Sequence, residues 1–214
     1  MTKILYRIAE LKLIPMVVMD KAEHAASFGD ALVAGGLPIA EITFRTPAAE
    51  AAIRRLAERG DLLVGAGTIL TTEQADRAIG AGALFLVAPG TNPKIVEHVL
   101  NRGVTMVPGV VTSSEIELCM SLGVTTLKFF PAETMGGVAT LKALAGPYPD
   151  VRFVPTGGIT PELLPSYLQL PSVVACGGSW LAPREMLAAG NFDAIARLVE
   201  QARKILAAPP LIAT

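Results

Sequence analysis

The sequence predicts an α/β fold, a (β/α)₈ TIM barrel that forms a single domain over residues 1–214, and three observations support this prediction. Short apolar or β-branched runs recur eight times, 20 to 25 residues apart. Each interval has room for one helix and two short loops, and strands that alternate with helices are parallel and joined by crossovers. The alternative, an open doubly wound sheet, usually carries a Gly-rich phosphate motif after its first strand, where this chain has Met19-Asp20-Lys21.

The eight predicted strands begin near Ile14, Ile39, Leu63, Leu84, Val104, Thr126, Val151 and Val173. Helix start signals lie between them. A capping side chain stands three residues before Glu or Gln, or directly before a proline that can occupy the first helical position. These signals occur at Asp20–Glu23, Thr71–Gln74, Thr112–Glu115, Thr46-Pro47, Asn92-Pro93 and Thr160-Pro161.

The two ends of the chain lie outside the repeat. Residues 1–13 are expected to hold an extra N-terminal helix, from Thr2 to Lys12. The last helix of the barrel is expected near Phe192 to Leu206, and residues 207–214 are expected to form a C-terminal tail.

Charge and hydropathy exclude several classes of partner. The chain has 18 Lys and Arg against 19 Asp and Glu, which is not the basic surface of a nucleic-acid binder. The longest run without a charge, residues 163–183, contains prolines and a glycine pair that would break a membrane-spanning helix. Arg7, Glu10 and Lys12 interrupt any apolar region of a signal peptide, so a cytoplasmic location is expected.

Lys128 is the strongest chemical signal, because it lies inside the sixth predicted strand between Leu127 and Phe129. In this architecture catalytic groups stand at the C-terminal ends of strands. Burial disfavours the charged form of an amine, and a neutral amine is the nucleophile that attacks a ketone. The alternative is a lysine that reaches water at the strand end or pairs with a carboxylate.

Glu41 strengthens the catalytic interpretation. Alternation in the second strand places Glu41, Thr43 and Arg45 on one face. Closing a barrel brings inward-facing residues of different strands together, so a base (Glu41), an amine (Lys128) and an anion-binding guanidinium (Arg45) could converge. A structural Glu–Lys–Arg cluster that satisfies its own charges is the alternative.

Glycine pairs follow the last two strands. Gly157-Gly158 and Gly177-Gly178-Ser179 are expected to open loops where barrels of this kind bind phosphate through backbone N–H groups. Glycine allows the backbone to approach an anion closely. Glu133, just past the sixth strand, is expected to cap the following helix.

The residues indicate no zinc site and leave open a Mg²⁺ ion bound by carboxylates. Cys119 and Cys176 lie on separate elements without a CxxC pattern, which indicates neither a disulfide nor a zinc site. His24 and His98 fall within predicted helices, where surface or packing roles are favoured.

In six segments, the sequence resembles the class I 2-keto-3-deoxy-6-phosphogluconate (KDPG) aldolases, also described as 4-hydroxy-2-oxoglutarate aldolases. The resemblance implies a (β/α)₈ barrel, a homotrimer, a Schiff-base mechanism without a metal or cofactor, and a place in the Entner–Doudoroff pathway of carbohydrate metabolism. The segments are EITFRT (41–46), GAGT (65–68), APG (88–90), LKFFPAE (127–133), PTGGI (155–159) and GGSW (177–180).

By position, the resemblance implies that Lys128 forms the Schiff base, Glu41 transfers protons and Arg45 holds the substrate carboxylate. The implied reaction cleaves KDPG to pyruvate and glyceraldehyde 3-phosphate, with cleavage of 4-hydroxy-2-oxoglutarate to pyruvate and glyoxylate as a second activity. The implied substrate-pocket residues are Thr68, Pro89, Phe130 and Thr156, and the implied phosphate-binding residues are Gly157, Gly158, Gly177, Gly178 and Ser179.

Two other functions compete with this one. A phosphosugar isomerase or epimerase would use Glu41 as a base and Lys128 as an electrostatic aid, without an iminium. A non-catalytic barrel would bind a phosphorylated metabolite without turnover. The gluco and galacto epimers of the substrate differ at one stereocentre, and the sequence does not choose between them.

Overall fold

The structure, a computed structural model, describes residues 2–207. Its strands are short and parallel. They are β1 (Leu13–Val17), β2 (Ile39–Thr43), β3 (Leu63–Gly67), β4 (Phe85–Val87), β5 (Thr105–Val107), β6 (Gly109–Val110), β7 (Thr126–Phe129), β8 (Arg152–Pro155) and β9 (Cys176–Gly178).

Helices occupy the intervals between the strands, as the spacing predicts. A short 3₁₀-helix (Ala22–His24) precedes the second of them. The α-helices are α1 (Lys3–Leu11), α2 (Ala25–Ala34), α3 (Ala49–Ala57), α4 (Thr72–Gly80), α5 (Pro93–Asn101), α6 (Ser113–Ser121), α7 (Gly137–Ala145), α8 (Leu164–Leu168), α9 (Arg184–Ala188) and α10 (Phe192–Ala207).

The strands form two parallel sheets. One has the order β5-β4-β3-β2-β1-β9 and the other the order β6-β7-β8. The fifth predicted strand is divided at Pro108, so that β5 pairs with β4 and β6 pairs with β7. Isolated bridges from Phe153 to Val173 and from Thr156 to Gly177 connect β8 and the residue after it with the segment that contains β9. The predicted strand positions are therefore confirmed, and the architecture is parallel α/β.

Three of the predicted helix starts have the expected caps. Thr112 and Glu115 form a full capping box at α6. The side chain of Thr71 accepts a hydrogen bond from Gln74 N, and that of Asn92 accepts one from Lys94 N before Pro93.

At the other three predicted starts a helix begins within a few residues, but the expected side chain does not cap it. Asp20 binds Arg184 through two hydrogen bonds of 2.7 Å instead of capping a helix. The hydroxyl of Thr46 donates to Met19 O at 2.5 Å, and α3 begins only at Ala49. After Thr160, the chain makes a turn before α8 begins at Leu164.

The ends of the described chain pack as helices. α1 begins after the cap residue Thr2 and ends at Leu11, before Lys12, and it buries one apolar face. α10 continues to Ala207, so the first residue of the predicted tail belongs to this helix, whereas residues 208–214 lie outside the described residues. Within residues 2–207, no helix combines the length and the apolar composition that a membrane span needs.

Candidate active site

Lys128 on β7 and Glu41 on β2 meet in the interior of the molecule. Their side chains come from strands in different sheets, and Lys128 Nζ lies 3.4 Å from Glu41 Oε1. Lys128 is 4% exposed and Glu41 is 2% exposed. Charged residues are almost never buried this deeply unless they are paired. The predicted convergence of the Glu41 and Lys128 side chains is present in the structure.

The surroundings of the lysine amine are aromatic as well as acidic. Nζ lies 5.1 Å from the centre of the Phe130 ring. An ammonium at this distance is attracted by the electron-rich face of the ring. Phe130 follows the last residue of β7 and precedes Pro131, to which it is joined by a cis peptide bond.

The position of the Glu41 carboxylate depends on a missing side chain on the neighbouring strand. β2 and β3 are in register, with Thr43 opposite Gly67. A Cβ atom at Gly67 would overlap the carboxylate of Glu41. Only glycine therefore leaves room for Glu41 in its observed place. Gly67 belongs to the GAGT segment, but the sequence alone predicts no role for it.

Arg45 is not part of the buried pair. β2 ends at Thr43, whose hydroxyl donates to Val17 O at 2.9 Å, and Arg45 N donates back to Thr43 O at 2.8 Å. This local bond turns the chain, so the strand alternation expected for Arg45 does not extend to it, and its side chain is exposed. The expectation that Arg45 shares a strand face with Glu41 is wrong. Of the three charged residues in the alternative structural cluster, Lys128 and Glu41 form an ion pair and Arg45 does not join it.

The other predicted pocket residues follow the strands as expected. Thr68 stands after β3, half-buried, with a φ of 59° that a β-branched residue rarely adopts. Pro89 stands after β4 and lines an apolar cavity of about 280 Å³. Thr156 stands after β8, is buried, and bridges to Gly177.

The two glycine pairs differ in conformation. Gly157 and Gly158 form a turn after β8, with φ of 103° and 79°, a region that L side chains rarely adopt. Gly177 and Gly178 instead belong to β9, so the expectation that both pairs open loops holds only for the first pair.

Close packing explains the glycines of β9. A Cβ atom at Gly177 would overlap the side chain of Thr156, and one at Gly178 would lie 2.8 Å from Trp180 Nε1. Trp180 Nε1 is buried and has no hydrogen-bond partner among residues 2–207. Ser179, between them, is exposed.

Glu133 does not cap the helix that follows it. α7 begins at Gly137 after Gly136, without a side-chain cap. The carboxylate of Glu133 instead accepts a hydrogen bond from the hydroxyl of Tyr167 on α8. The sequence gave no signal for this contact, because it joins residues 34 positions apart.

The remaining nucleophilic and titratable candidates have structural contacts. His24 Nδ1 lies 2.7 Å from Leu187 O, and His98 Nε2 lies 3.0 Å from Asp76, so both histidines have the packing or surface roles expected. Burial raises the pKa of the Cys176 thiol well above its usual range, which keeps it protonated and unreactive. In the part of the chain that the structure describes, no three His, Cys, Asp or Glu side chains are grouped to hold a metal ion.

A buried lysine beside a carboxylate, at the C-terminal end of a parallel strand, is typical of enzymes that activate an amine for attack on a carbonyl group. Comparison with known proteins gives the family. The profile described as KDPG and KHG aldolase matches residues 4–198, and the chain belongs to this aldolase family.

Individual relatives agree over most of the chain. The 2-dehydro-3-deoxy-phosphogluconate aldolase of Treponema pallidum is 44% identical over 207 residues, which cover 96% of this chain and 99% of that protein. The KHG/KDPG aldolase of Escherichia coli is 44% identical over 190 residues, covering 88% and 89%. A crystal structure of the KDPG aldolase of Legionella pneumophila, with pyruvate captured as a covalent carbinolamine, is similar with a TM-score of 0.90 and 36% identity, and the match covers 94% and 98%.

The enzyme class predicted from the sequence is therefore confirmed. The chain is an aldolase, that is, a lyase, and the aldolase interpretation is supported over the isomerase, epimerase and binding-barrel alternatives.

Proposed function

We propose that this aldolase cleaves KDPG to pyruvate and glyceraldehyde 3-phosphate through an iminium on Lys128. The observation that carries the proposal is the buried contact of 3.4 Å between Lys128 Nζ and Glu41 Oε1. Burying a charged group costs roughly several kcal/mol, so a buried ion pair adds little stability compared with apolar side chains of similar size. A buried ion pair that adds so little stability is more typical of a functional site than of a purely structural one.

The reaction begins when the neutral amine of Lys128 attacks the 2-keto carbon, and water leaves to form the iminium. Glu41, directly or through a water molecule, removes the proton of the hydroxyl two carbons away. The bond between the carbon that bears this hydroxyl (C4) and its neighbour C3 then breaks. Its electron pair moves to the iminium, and glyceraldehyde 3-phosphate leaves. The enamine on Lys128 is then protonated at carbon, and hydrolysis releases pyruvate and the free lysine.

The two charged ends of the substrate are assigned to different parts of the site. Arg45, exposed after β2, holds the carboxylate with a bidentate guanidinium. Thr68, Pro89, Phe130 and Thr156 contact the chain of the substrate between its ends. Backbone N–H groups at Gly157, Gly158, Gly177, Gly178 and Ser179 bind the phosphate, in the region where barrels of this kind often bind one.

A second substrate is proposed from the names of the relatives. The Escherichia coli relative is a KHG/KDPG aldolase, and 4-hydroxy-2-oxoglutarate has the same 2-keto acid end as KDPG. It would form the same iminium and release glyoxylate in place of the phosphorylated aldehyde. It carries a second carboxylate in place of the phosphorylated end, so its affinity does not include the contacts proposed for the phosphate.

We also propose that the two sheets are parts of one closed (β/α)₈ barrel in a single domain over residues 1–214, with α1 as an extra helix before the first strand. Support comes from the continuity of β5 and β6 across Pro108 and from the bridge between Thr156 and Gly177, which together join each sheet to the other at both edges.

A homotrimer in the cytoplasm is the assembly that we propose for this enzyme. The exposed Leu70 beside the apolar cavity at Pro89 is one surface that a neighbouring subunit could cover. Sedimentation equilibrium of the full chain tests the proposal, and a mass of one subunit at micromolar concentration would contradict it. A substrate that carries a phosphate and a carboxylate crosses membranes poorly, which supports a cytoplasmic enzyme.

Trapping with borohydride tests the mechanism directly. The full chain is incubated with pyruvate and sodium borohydride, followed by intact mass measurement and peptide mapping. We expect one reduced pyruvyl adduct, on the peptide that contains Lys128. Lys142→Ala, which removes an exposed lysine of α7, is the matched control and should label fully. If the folded wild-type protein gives no adduct in excess pyruvate, the Schiff-base mechanism is wrong.

A further inference from the structure

The side chains of Tyr167 and Glu133 form a hydrogen bond near the Gly157–Gly158 turn, where the phosphate is proposed to bind. Tyr167 lies on α8 and is fully buried, and its hydroxyl donates to Glu133 Oε1. Burial, and then the neighbouring carboxylate, raise the pKa of the Tyr167 phenol well above its usual range, so the hydroxyl remains a donor. Glu133 lies five residues after Lys128. This hydrogen bond has no part in the mechanism described above.

Glu133 in turn supports the glycine turn after β8. Glu133 N donates to Gly157 O at 3.1 Å, and Ala132 N donates to Thr156 O at 2.8 Å. The Cβ atom of Glu133 occupies the space beside Gly158, 2.7 Å from where a side chain at that glycine would begin. Glu133 is thus fixed on one side by Tyr167 and touches the turn on the other.

Such support matters because the turn has little rigidity of its own. Gly157 and Gly158 have no side chains, and both have positive φ. Glycine has more accessible backbone conformations than any other residue type. Backbone N–H groups bind an anion well only when they are held so that they point to one place.

We propose that Tyr167 is a positioning residue for phosphate binding. Its hydrogen bond holds the Glu133 carboxylate in place, and Glu133 holds the Gly157–Gly158 turn in the conformation that directs N–H groups to the phosphate. This inference rests on the proposed function in one respect, the assignment of the phosphate to this turn. It predicts that loss of the Tyr167 hydroxyl weakens binding of the phosphate without changing chemistry at Lys128.

The chain offers a matched control with the same chemistry. Tyr148 OH donates to Glu117 Oε1 at 2.8 Å. This tyrosine precedes β8, at the N-terminal ends of the strands, whereas the Gly157–Gly158 turn follows the C-terminal end of β8. Tyr148→Phe therefore removes a hydrogen bond between the same chemical groups, in an exposed position, at the other end of the same strand.

The test is a calorimetric titration of the full chain with 3-phosphoglycerate, a probe that carries a phosphate and forms no iminium. We expect Tyr167→Phe to raise the dissociation constant roughly tenfold, because the N–H groups of the turn are then no longer held so that they point to one place. Glu133→Ala should weaken binding as much, although it keeps the Cβ beside Gly158. Glu133→Gln, which keeps an acceptor for Tyr167, should bind nearly as the wild type does, and Tyr148→Phe should bind unchanged.

Kinetics give a second readout that a purely structural role would not produce. In Tyr167→Phe, KM for KDPG should rise while kcat stays within about twofold, and the rate with unphosphorylated 4-hydroxy-2-oxoglutarate should not change. A lower melting temperature together with unchanged affinity for 3-phosphoglycerate would overturn the inference. So would an equal loss with both substrates.

The outcomes separate this inference from the function on which it rests. If wild-type protein does not bind 3-phosphoglycerate, the phosphate assignment is wrong and the inference fails with it. If pyruvate cannot be trapped on Lys128, the Schiff-base mechanism fails, whereas the comparison of 3-phosphoglycerate affinities still decides the role of Tyr167.

Discussion

One end of the candidate site consists of charged side chains, whereas the other end consists of backbone. At one end, the charged side chains of Lys128 and Glu41 meet inside the molecule, each fixed on a strand. At the other end, the turn at Gly157 and Gly158 presents only backbone, and its conformation is imposed by neighbours. Bond making and breaking requires reactive side chains in exact positions, whereas a phosphate can be bound by N–H groups. Changes at the first end should therefore lower kcat, and changes at the second should raise KM.

Removing the amine should have the largest effect. Lys128→Ala deletes the nucleophile, and we expect turnover of KDPG to fall by about four orders of magnitude or more. Release of pyruvate, coupled to its reduction by lactate dehydrogenase, measures the rate. Normal activity of this variant would end the assignment of Lys128 and the comparison built on it.

Adding a methyl group beside Glu41 should have the next largest effect. In Gly67→Ala, the new Cβ would overlap the Glu41 carboxylate and displace it. We expect kcat to fall roughly 100-fold or more, the scale of a misplaced general base, with pyruvate still trapped on Lys128. Glu41→Gln should give a similar pattern, since it slows proton transfer and leaves the amine in place.

A second glycine controls for the methyl group itself. Gly80, at the end of α4, has nothing within 4 Å of the position of an added Cβ. Gly80→Ala should leave kcat unchanged and slightly raise the melting temperature, because alanine favours the helix. If Gly67→Ala also leaves kcat unchanged, the position of Glu41 does not limit the rate.

A methyl group in the glycine turn should act on binding alone. Gly158→Ala places a side chain on a residue with φ of 79° and against Glu133 Cβ. Strain of about 1 to 2 kcal/mol in the left-handed region should move the turn. We expect KM for KDPG to rise about tenfold, with trapping of pyruvate on Lys128 as in the wild type.

Gly60→Ala is the control that distinguishes backbone strain at the phosphate end from backbone strain elsewhere in the protein. Gly60 has φ of 73° in an exposed turn after α3, with nothing within 4 Å of an added Cβ. Gly60→Ala should destabilise the protein by a similar amount and leave KM unchanged. An equal rise of KM in both variants would mean that general loss of stability, not the phosphate end, controls binding.

The same contrast explains what could be predicted from the sequence. The strand positions follow from apolar periodicity, and Lys128 and Glu41 stand out because charged residues interrupt those strands. The alternation argument fails at Arg45, because β2 ends at Thr43 and a hydrogen bond between Arg45 N and Thr43 O turns the chain. Where a strand stops depends on its neighbours, and a single strand's pattern does not contain that information.

Contacts that depend on packing could not be predicted at all. The space that Gly67 leaves for Glu41 requires the register of β2 and β3, and the bond between Tyr167 and Glu133 requires the position of α8. For the same reason Gly177 and Gly178, which look like a second turn in the sequence, belong to a strand. The same residue type therefore has three different roles. Gly67 makes room for a carboxylate, the 157–158 pair forms a turn, and the 177–178 pair allows close packing of strands.

The smallest predicted effect lies outside both ends of the site, at a helix start that the sequence predicted correctly. Thr112 caps α6, and the Glu115 carboxylate accepts hydrogen bonds of 2.8 Å from the backbone N–H groups of Val111 and Thr112. Thr112→Ala should lower the free energy of unfolding by about 1 kcal/mol, measured by urea denaturation, and Thr112→Ser should restore most of it. Neither kcat nor KM should change, because the cap contacts neither Lys128 nor the glycine turn. A change in kcat or KM in Thr112→Ala would mean that the two ends respond to stability as a whole, which would remove the physical basis for treating them as separate parts.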